Sequence, residues 1–381
     1  MVPRIWLALM LALPLLLPPT SAGADPRSPS DAALGQACLT VAEGNLLDPG
    51  VGWLRPSPDY LDGDWLRDAF WASSLLGPSL GRRALDNFGR QLNAAGQAPT
   101  RLGLDGVGNQ YLDDEPTLLY LLWAYRDGGQ PPGRVLKAWS WVREHVVDGA
   151  YWTPPGGFHT WHDTFVFPER DVVAYNQGLY AAAALAASQL GIASRAEAEA
   201  AVAAYRRLYS DQLGYLRFSL ALAYHDPSAL VGEVLTRTLL GRPLLDDEAV
   251  LATVSSLPRA GPGFRVLAAG NGSGLPPSAF SPAASPGVYQ NGGSWLLYDV
   301  LAWQAASLAG SPTAQASGRQ RLAFEVASGS LHEYWIASAG ELRAGVHRDY
   351  AWNAYACRAL GLDGATGLAD LRARLRLPVP N

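Results

Sequence analysis

The connections between helical segments constrain this chain more than any single motif. Apolar residues recur at helical spacing along most of the sequence, and strand-like alternation is short and scarce. Twelve segments read as helices, near 31–46, 66–77, 79–94, 115–127, 133–146, 172–191, 195–211, 227–240, 246–256, 293–309, 313–328 and 349–360. Their ends carry the expected chemistry. Ser79 opens one behind a proline, and Pro116 occupies the first turn of another, where its missing N–H costs nothing. Asp127-Gly128-Gly129 stops that same helix, and Gly191 stops the Ala-rich one at 172–191. Some joints are tight, such as Gly77-Pro78 and Gly191-Ile192-Ala193. Others, at 47–65, 95–114, 147–171 and 257–292, are long and rich in Gly, Pro and aromatic residues. Tight hairpins separated by long loops are what a closed ring of helical pairs needs, and long loops inside a domain are usually functional.

The N-terminus reads differently. Arg4, the apolar run that follows it and Ala22-Gly23-Ala24 form a secretion signal over 1–24, with cleavage before Asp25. The mature chain is then expected outside the cytoplasm, secreted or periplasmic, where disulfides persist. No linker divides 25–381, which is expected to be one catalytic domain and a monomer. With 49% apolar and 17% charged residues, the chain can fill a large core. A net charge of −5 argues against nucleic acid or an anionic membrane as a partner. Cys38 lies in the first helix and Cys357 in the last. Those helices are neighbours in a closed ring, so a bridge across the seam is expected, with two buried thiols as the other reading.

Four clusters carry polar and aromatic residues at helix ends. In the first, Arg67 and Asp68 offer donors and acceptors to vicinal hydroxyls beside a Trp65 wall, or else cap a helix. In the second, Asp113-Asp114-Glu115 precedes an apolar helix. Negative charge there suits the helix dipole, and crowding also raises a carboxyl's pKa, as a general acid requires. The third joins His159, Trp161, His162 and Asp163 with Tyr175 and Asn176. No further His or Cys completes a metal set, so no metal and no cofactor is expected, and sugar contact fits better. The fourth places Gln290, Asn291 and Trp295 around Gly292-Gly293, followed by His332, Glu333 and Trp335. The paired glycines would let backbone approach a ligand. Of the 13 Trp residues, Trp65, Trp161, Trp295 and Trp335 are expected at one mouth, and Trp123, Trp139, Trp141 and Trp303 in helix packing.

The succession WLRDAFW, DDEPTLLYLLW, YNQGLY, YQNGGSW and HEYW resembles the six-hairpin glycosidase superfamily over roughly 60–360. Its members include glucoamylase-like proteins, the glucosidase part of glycogen debranching enzyme, neutral invertases and mannosylglycerate hydrolase-like proteins. The resemblance implies an all-α fold, the (α/α)6 toroid, with long loops on one face forming the site. It implies Asp114 as general acid, with Asp113 and Glu115 still open, and Glu333 as general base with His332 among the donors keeping it ionised. It implies that Arg67 and Asp68 bind the sugar beside the scissile bond. The chain departs from some members in lacking a β-sandwich and in having Leu118 where an aromatic follows the acid. The activity implied is an inverting, exo-acting hydrolysis of an α-linked glucoside or related oligosaccharide, with the two carboxyls about 6.5–9.5 Å apart. A lyase or phosphorylase on the same toroid, with Tyr175, His159 or His162 as a lyase's base, is a second reading. A non-catalytic glycan-binding protein is a third.

Overall fold

The computed structural model describes residues 29–60, 63–103, 108–112, 114–338 and 341–362. The segment 1–24, expected to be a secretion signal, and Asp113 lie outside the described residues. Twelve α-helices occur among those described. They are α1 (Asp31–Gly44), α2 (Leu66–Leu76), α3 (Pro78–Arg90), α4 (Glu115–Asp127), α5 (Pro132–Glu144), α6 (Ala174–Gln189), α7 (Arg195–Arg206), α8 (Val231–Leu240), α9 (Asp247–Ser256), α10 (Leu296–Leu308), α11 (Ala314–Ala327) and α12 (Tyr355–Ala359).

The even-numbered helices form a closed inner ring. Each packs on the next, α2 on α4, α4 on α6, α6 on α8, α8 on α10, α10 on α12, and α12 back on α2. The odd-numbered helices lie outside. Burial follows position: 14 of the 16 residues of α6 are buried, against 4 of the 13 residues of α5. A helix buried all round belongs in a core, and one with a single apolar stripe belongs on a surface. This is the (α/α)6 toroid. Inner helices also meet backbone to backbone. A Cβ on Gly232 of α8 would lie 2.4 Å from the Cα of Gly178 on α6, so only glycine permits that approach.

Every tight joint follows an inner helix, and every long loop precedes one. All the long loops therefore gather at the N-terminal ends of the inner helices. They hold six small two-stranded antiparallel sheets among the described residues, too short to show as alternation in the sequence. One of them pairs Gly63–Trp65 with Arg101–Gly103. Two expected helices open as 3-10 turns, at Pro227–Leu230 ahead of α8 and Ala351–Ala354 ahead of α12. The seam closes covalently and through polar contacts. Cys38 of α1 is bonded to Cys357 of α12. Asn45 Nδ2 donates to the Asp349 carbonyl at 2.6 Å, and Ala351 N donates to the Pro56 carbonyl at 2.6 Å. Among the described residues, no helix is long and apolar enough to cross a membrane.

Candidate active site

The gathered loops enclose a pocket at the N-terminal mouth of the ring. Trp65, Trp161, Trp295 and Trp352 form its aromatic walls, with Tyr60, Tyr289 and Tyr350 between them. Its polar groups are Arg67, Asp163, Gln290 and Glu333. The wall is a packed unit: Trp161 meets Trp295 edge to face at 5.2 Å, and Trp352 lies 5.7 Å from Trp295. Apolar ring faces beside a few fixed polar groups suit a sugar, whose C–H faces and hydroxyls need both.

Arg67 sits in the first turn of α2. Its Nη1 donates to Glu115 Oε1 at 2.6 Å, and its guanidinium lies over Trp352 at 5.4 Å. Glu115 is fully buried in the first turn of α4, outside the pocket lining. Four carboxyls, Asp68, Glu115, Asp163 and Glu333, feel the Arg67 charge. Burial outweighs it in each case and drives the carboxyl upward. Asp68 is pushed up to about 7. Glu333 is pushed up to about 8, by burial first and then by the negative charges of Asp68 and Asp163; Arg67 and the Tyr350 phenol pull the other way. Asp163 is raised by burial, against Arg67 and the Gln290 amide.

Asp163 and Glu333 thus share one pocket and one electrostatic field. Asp163 Oδ1 and Glu333 Oε2 are both buried without a hydrogen-bond partner among the described residues. Glu333 is 2% exposed, whereas Asp163 keeps partial exposure. Buried unpaired carboxylate oxygens are costly, and each needs a reason.

Several expected contacts are relocated. Asp114, the expected acid, lies outside the lining, with its Oδ2 3.4 Å from His159 Nδ1. His159 therefore also sits off the pocket. Asp68 is buried behind the pocket, where Tyr350 reaches it. Tyr175 is buried on α6 near Glu115 and Tyr298. Asn176 donates to the His159 carbonyl at 2.9 Å and to Thr153 Oγ1 at 3.2 Å, so it pins a loop. Asn291 is spent on the Leu275 and Ala284 backbone. His162 faces Asp226, and His332 faces Glu325 rather than Glu333. His347 instead approaches Glu333, with Nε2 3.9 Å from Oε2. Trp335 also turns to Glu325, to which its Nε1 donates at 2.6 Å. The residues proposed as a lyase's base are all outside the lining.

Gly293 serves a chain crossing. A Cβ there would lie 2.3 Å from the Tyr289 carbonyl oxygen, so backbone and not ligand demands glycine. Tyr289 itself has a φ of 51°, a strained value of the kind that gathers at functional sites. Gln290 accepts from Thr164 N at 3.0 Å and Thr164 Oγ1 at 2.7 Å, and donates to the Trp161 carbonyl at 2.7 Å. It ties the Asp163 loop to the glycine-rich loop. Tyr60, Tyr289, Tyr350 and Trp352 are pocket residues that sequence reasoning did not select. Aromatic residues in the long loops were the available signal for the first two. Among the described residues, no group of His, Cys, Asp and Glu could hold a metal.

No protein-family profile matches the chain, and no curated protein matches it. Solved structures do. A glycosidase variant aligns at a TM-score of 0.59 and 16% identity, over 87% of this chain and 98% of its own. A GH63 mannosylglycerate hydrolase from Thermus thermophilus, in complex with glucose, aligns at 0.58 and 13%, over 87% and 99%. A second glycosidase variant in complex with glucose aligns at 0.59 and 16%, over 87% and 98%. The chain has the six-hairpin glycosidase-type fold.

Proposed function

We propose that this six-hairpin chain is a glycoside hydrolase that inverts the anomeric centre and acts from the end of an α-linked glucoside or related oligosaccharide. The observation that carries the reading is the pair Asp163 and Glu333, two carboxyls with unpartnered oxygens in one aromatic pocket. The glucose-bound structures among the similar proteins support a sugar ligand.

The difference in exposure between the two carboxyls supports a division of roles. In an end-acting pocket the terminal sugar fills the closed end, and the leaving group points to the mouth. The carboxyl that meets the leaving oxygen is then the more exposed one, Asp163, and the carboxylate that meets the water is the deeper one, Glu333. Glu333 takes a proton from water as the water oxygen attacks C1. Asp163 gives its proton to the glycosidic oxygen as the C1–O bond breaks. The Arg67 guanidinium and the phenols of Tyr60 and Tyr350 are donors that can hold hydroxyls in place. Asp114, the acid that the sequence resemblance implied, becomes a support for His159. An extracellular or periplasmic site of action fits the Cys38–Cys357 bridge and the N-terminal sequence.

The test is incubation with a panel of α- and β-linked gluco-, manno- and related oligosaccharides, with product anomers followed by NMR. Release of a single terminal sugar with inverted configuration is expected. Retention, an unsaturated uronide product, or binding without turnover would overturn the reading.

The active form holds one proton on the Asp163–Glu333 pair. Protonating the base abolishes attack, and Glu333 is lifted to about 8. Activity is therefore lost as pH falls, and the limbs belong to the coupled pair. Asp163 is neutral in that form and no longer adds its charge to the lift on Glu333, so the acid limb of kcat/KM is expected below about 8 yet above the usual carboxylate range. Asp68 is one of the charges raising Glu333, so Asp68→Asn should move the acid limb to lower pH. An optimum near pH 4, unmoved by Asp68→Asn, would contradict this.

A further inference from the structure

Each proposed reacting carboxyl directly follows a histidine, in His162-Asp163 and His332-Glu333. In both pairs the histidine turns behind the pocket, to Asp226 or to Glu325, while the carboxyl that follows it lines the pocket. A histidine anchored behind the pocket therefore aims the next side chain into it.

Behind Glu333, the anchor is Glu325 of α11, which is fully buried. Its Oε2 accepts from His332 N at 3.2 Å and lies 3.3 Å from His332 Nδ1. Its Oε1 accepts from Trp335 Nε1 at 2.6 Å and meets Arg321 Nη1 at 2.7 Å. Arg321, 1% exposed, reaches on to Asp299 Oδ2 at 2.7 Å. Asp299 accepts from Ser294 Oγ at 2.7 Å, one residue from the pocket wall at Trp295. Behind Asp163, His162 is fully buried, with Nε2 3.1 Å from Asp226 Oδ2 and Nδ1 3.2 Å from Thr160 Oγ1. Asp226 caps the turn that enters α8 and accepts from Ser228 N at 3.3 Å.

We propose that Glu325 and Asp226 are positioning residues, which hold Glu333 and Asp163 through His332 and His162; this rests on the Asp163–Glu333 reading. Buried polar and charged pairs of this kind add little net stability over an apolar core. Their return is placement: a shift of about 1 Å in a reacting group costs on the order of 10²-fold in rate.

The two anchors predict different kinetic signatures, read with maltose and α-glucosyl fluoride on the full protein. Fluoride leaves without a proton, so only the disaccharide needs the acid. Glu325→Gln and Trp335→Phe should lower kcat on both substrates alike, by about 10–10²-fold, with KM little changed. Asp226→Asn should lower kcat on maltose by at least about tenfold more than on the fluoride. A purely structural role would not move that ratio. If Glu325→Gln fails to fold, Trp335→Phe carries the base arm; if Asp226→Asn fails, Thr160→Val carries the acid arm. Wild-type kcat in the base-arm variants, or an unchanged maltose-to-fluoride ratio in the acid-arm variants, overturns the proposal. A missing ratio change in Asp163→Asn itself overturns the pair assignment, and is read separately from the anchors.

Discussion

Asp163→Asn is expected to lower kcat/KM on an unactivated glycoside by about 10²–10⁴-fold while largely sparing the matching glycosyl fluoride. The amide keeps the shape and the Gln290 neighbourhood but has no proton to give. Fluoride needs none, so the loss should vanish with the better leaving group. Glu333→Gln should lose both substrates, because water activation is needed whichever group leaves. A small anion such as azide, which attacks without a base, should partly restore turnover in Glu333→Gln and not in Asp163→Asn. Asp114→Asn separates the present assignment from the one that the sequence resemblance implied. Asp114 faces His159 and lies outside the pocket lining, so its variant should show no dependence on the leaving group. If Asp114→Asn shows the split and Asp163→Asn does not, the acid is Asp114. Far-ultraviolet circular dichroism and thermal midpoints must stay near the parent's for the comparison to count.

The ring was legible because its cause is local. Helix ends are marked by Pro116, Gly128 and Gly191, and the alternation of short and long joints survives at single-residue resolution. The site was legible only as segments. Residues of three of the four polar-aromatic clusters, Trp65, Arg67, Trp161, Asp163, Gln290, Trp295 and Glu333, line one pocket, and the second cluster reaches it only through Glu115, which holds Arg67. Which residue of each cluster faces inward was not legible. That depends on the backbone direction of irregular loops, where no period of 2 or 3.6 applies. His162 and Asp163 are adjacent, and one turns to Asp226 while the other turns to the pocket. The same holds for His332 and Glu333. Tyr350 and Trp352 fall within the expected helix 349–360, where the 3-10 turn at Ala351–Ala354 has no sequence mark.

Loss of the Cys38–Cys357 bridge should destabilise the fold by several kcal/mol and inactivate it first at the pocket. The two cysteines are 319 residues apart in sequence. Closing so long a loop in the unfolded chain costs about 6 kcal/mol in the chain-entropy treatment, and removed native bridges typically cost about 2–5 kcal/mol. For a chain of this size that corresponds to a thermal midpoint lower by about 3–8 °C. The seam has a further consequence. α12 is only five residues long, and Tyr350 and Trp352 of the pocket wall lie just ahead of it. So short a helix holds its place through its neighbours, with α1 tied to it by the bridge and α2 and α10 packed against it. Opening the bridge releases the wall carrying Tyr350, whose phenol helps to keep Glu333 charged. In Cys38→Ser/Cys357→Ser, activity should therefore fall at temperatures below the midpoint of global unfolding, while in the parent the two curves coincide. Parallel activity and circular-dichroism melts, with and without reductant, measure both effects. A variant whose melt matches the parent's would mean that packing alone closes the ring. A lowered midpoint with coincident curves would confine the bridge to global stability and detach it from the pocket.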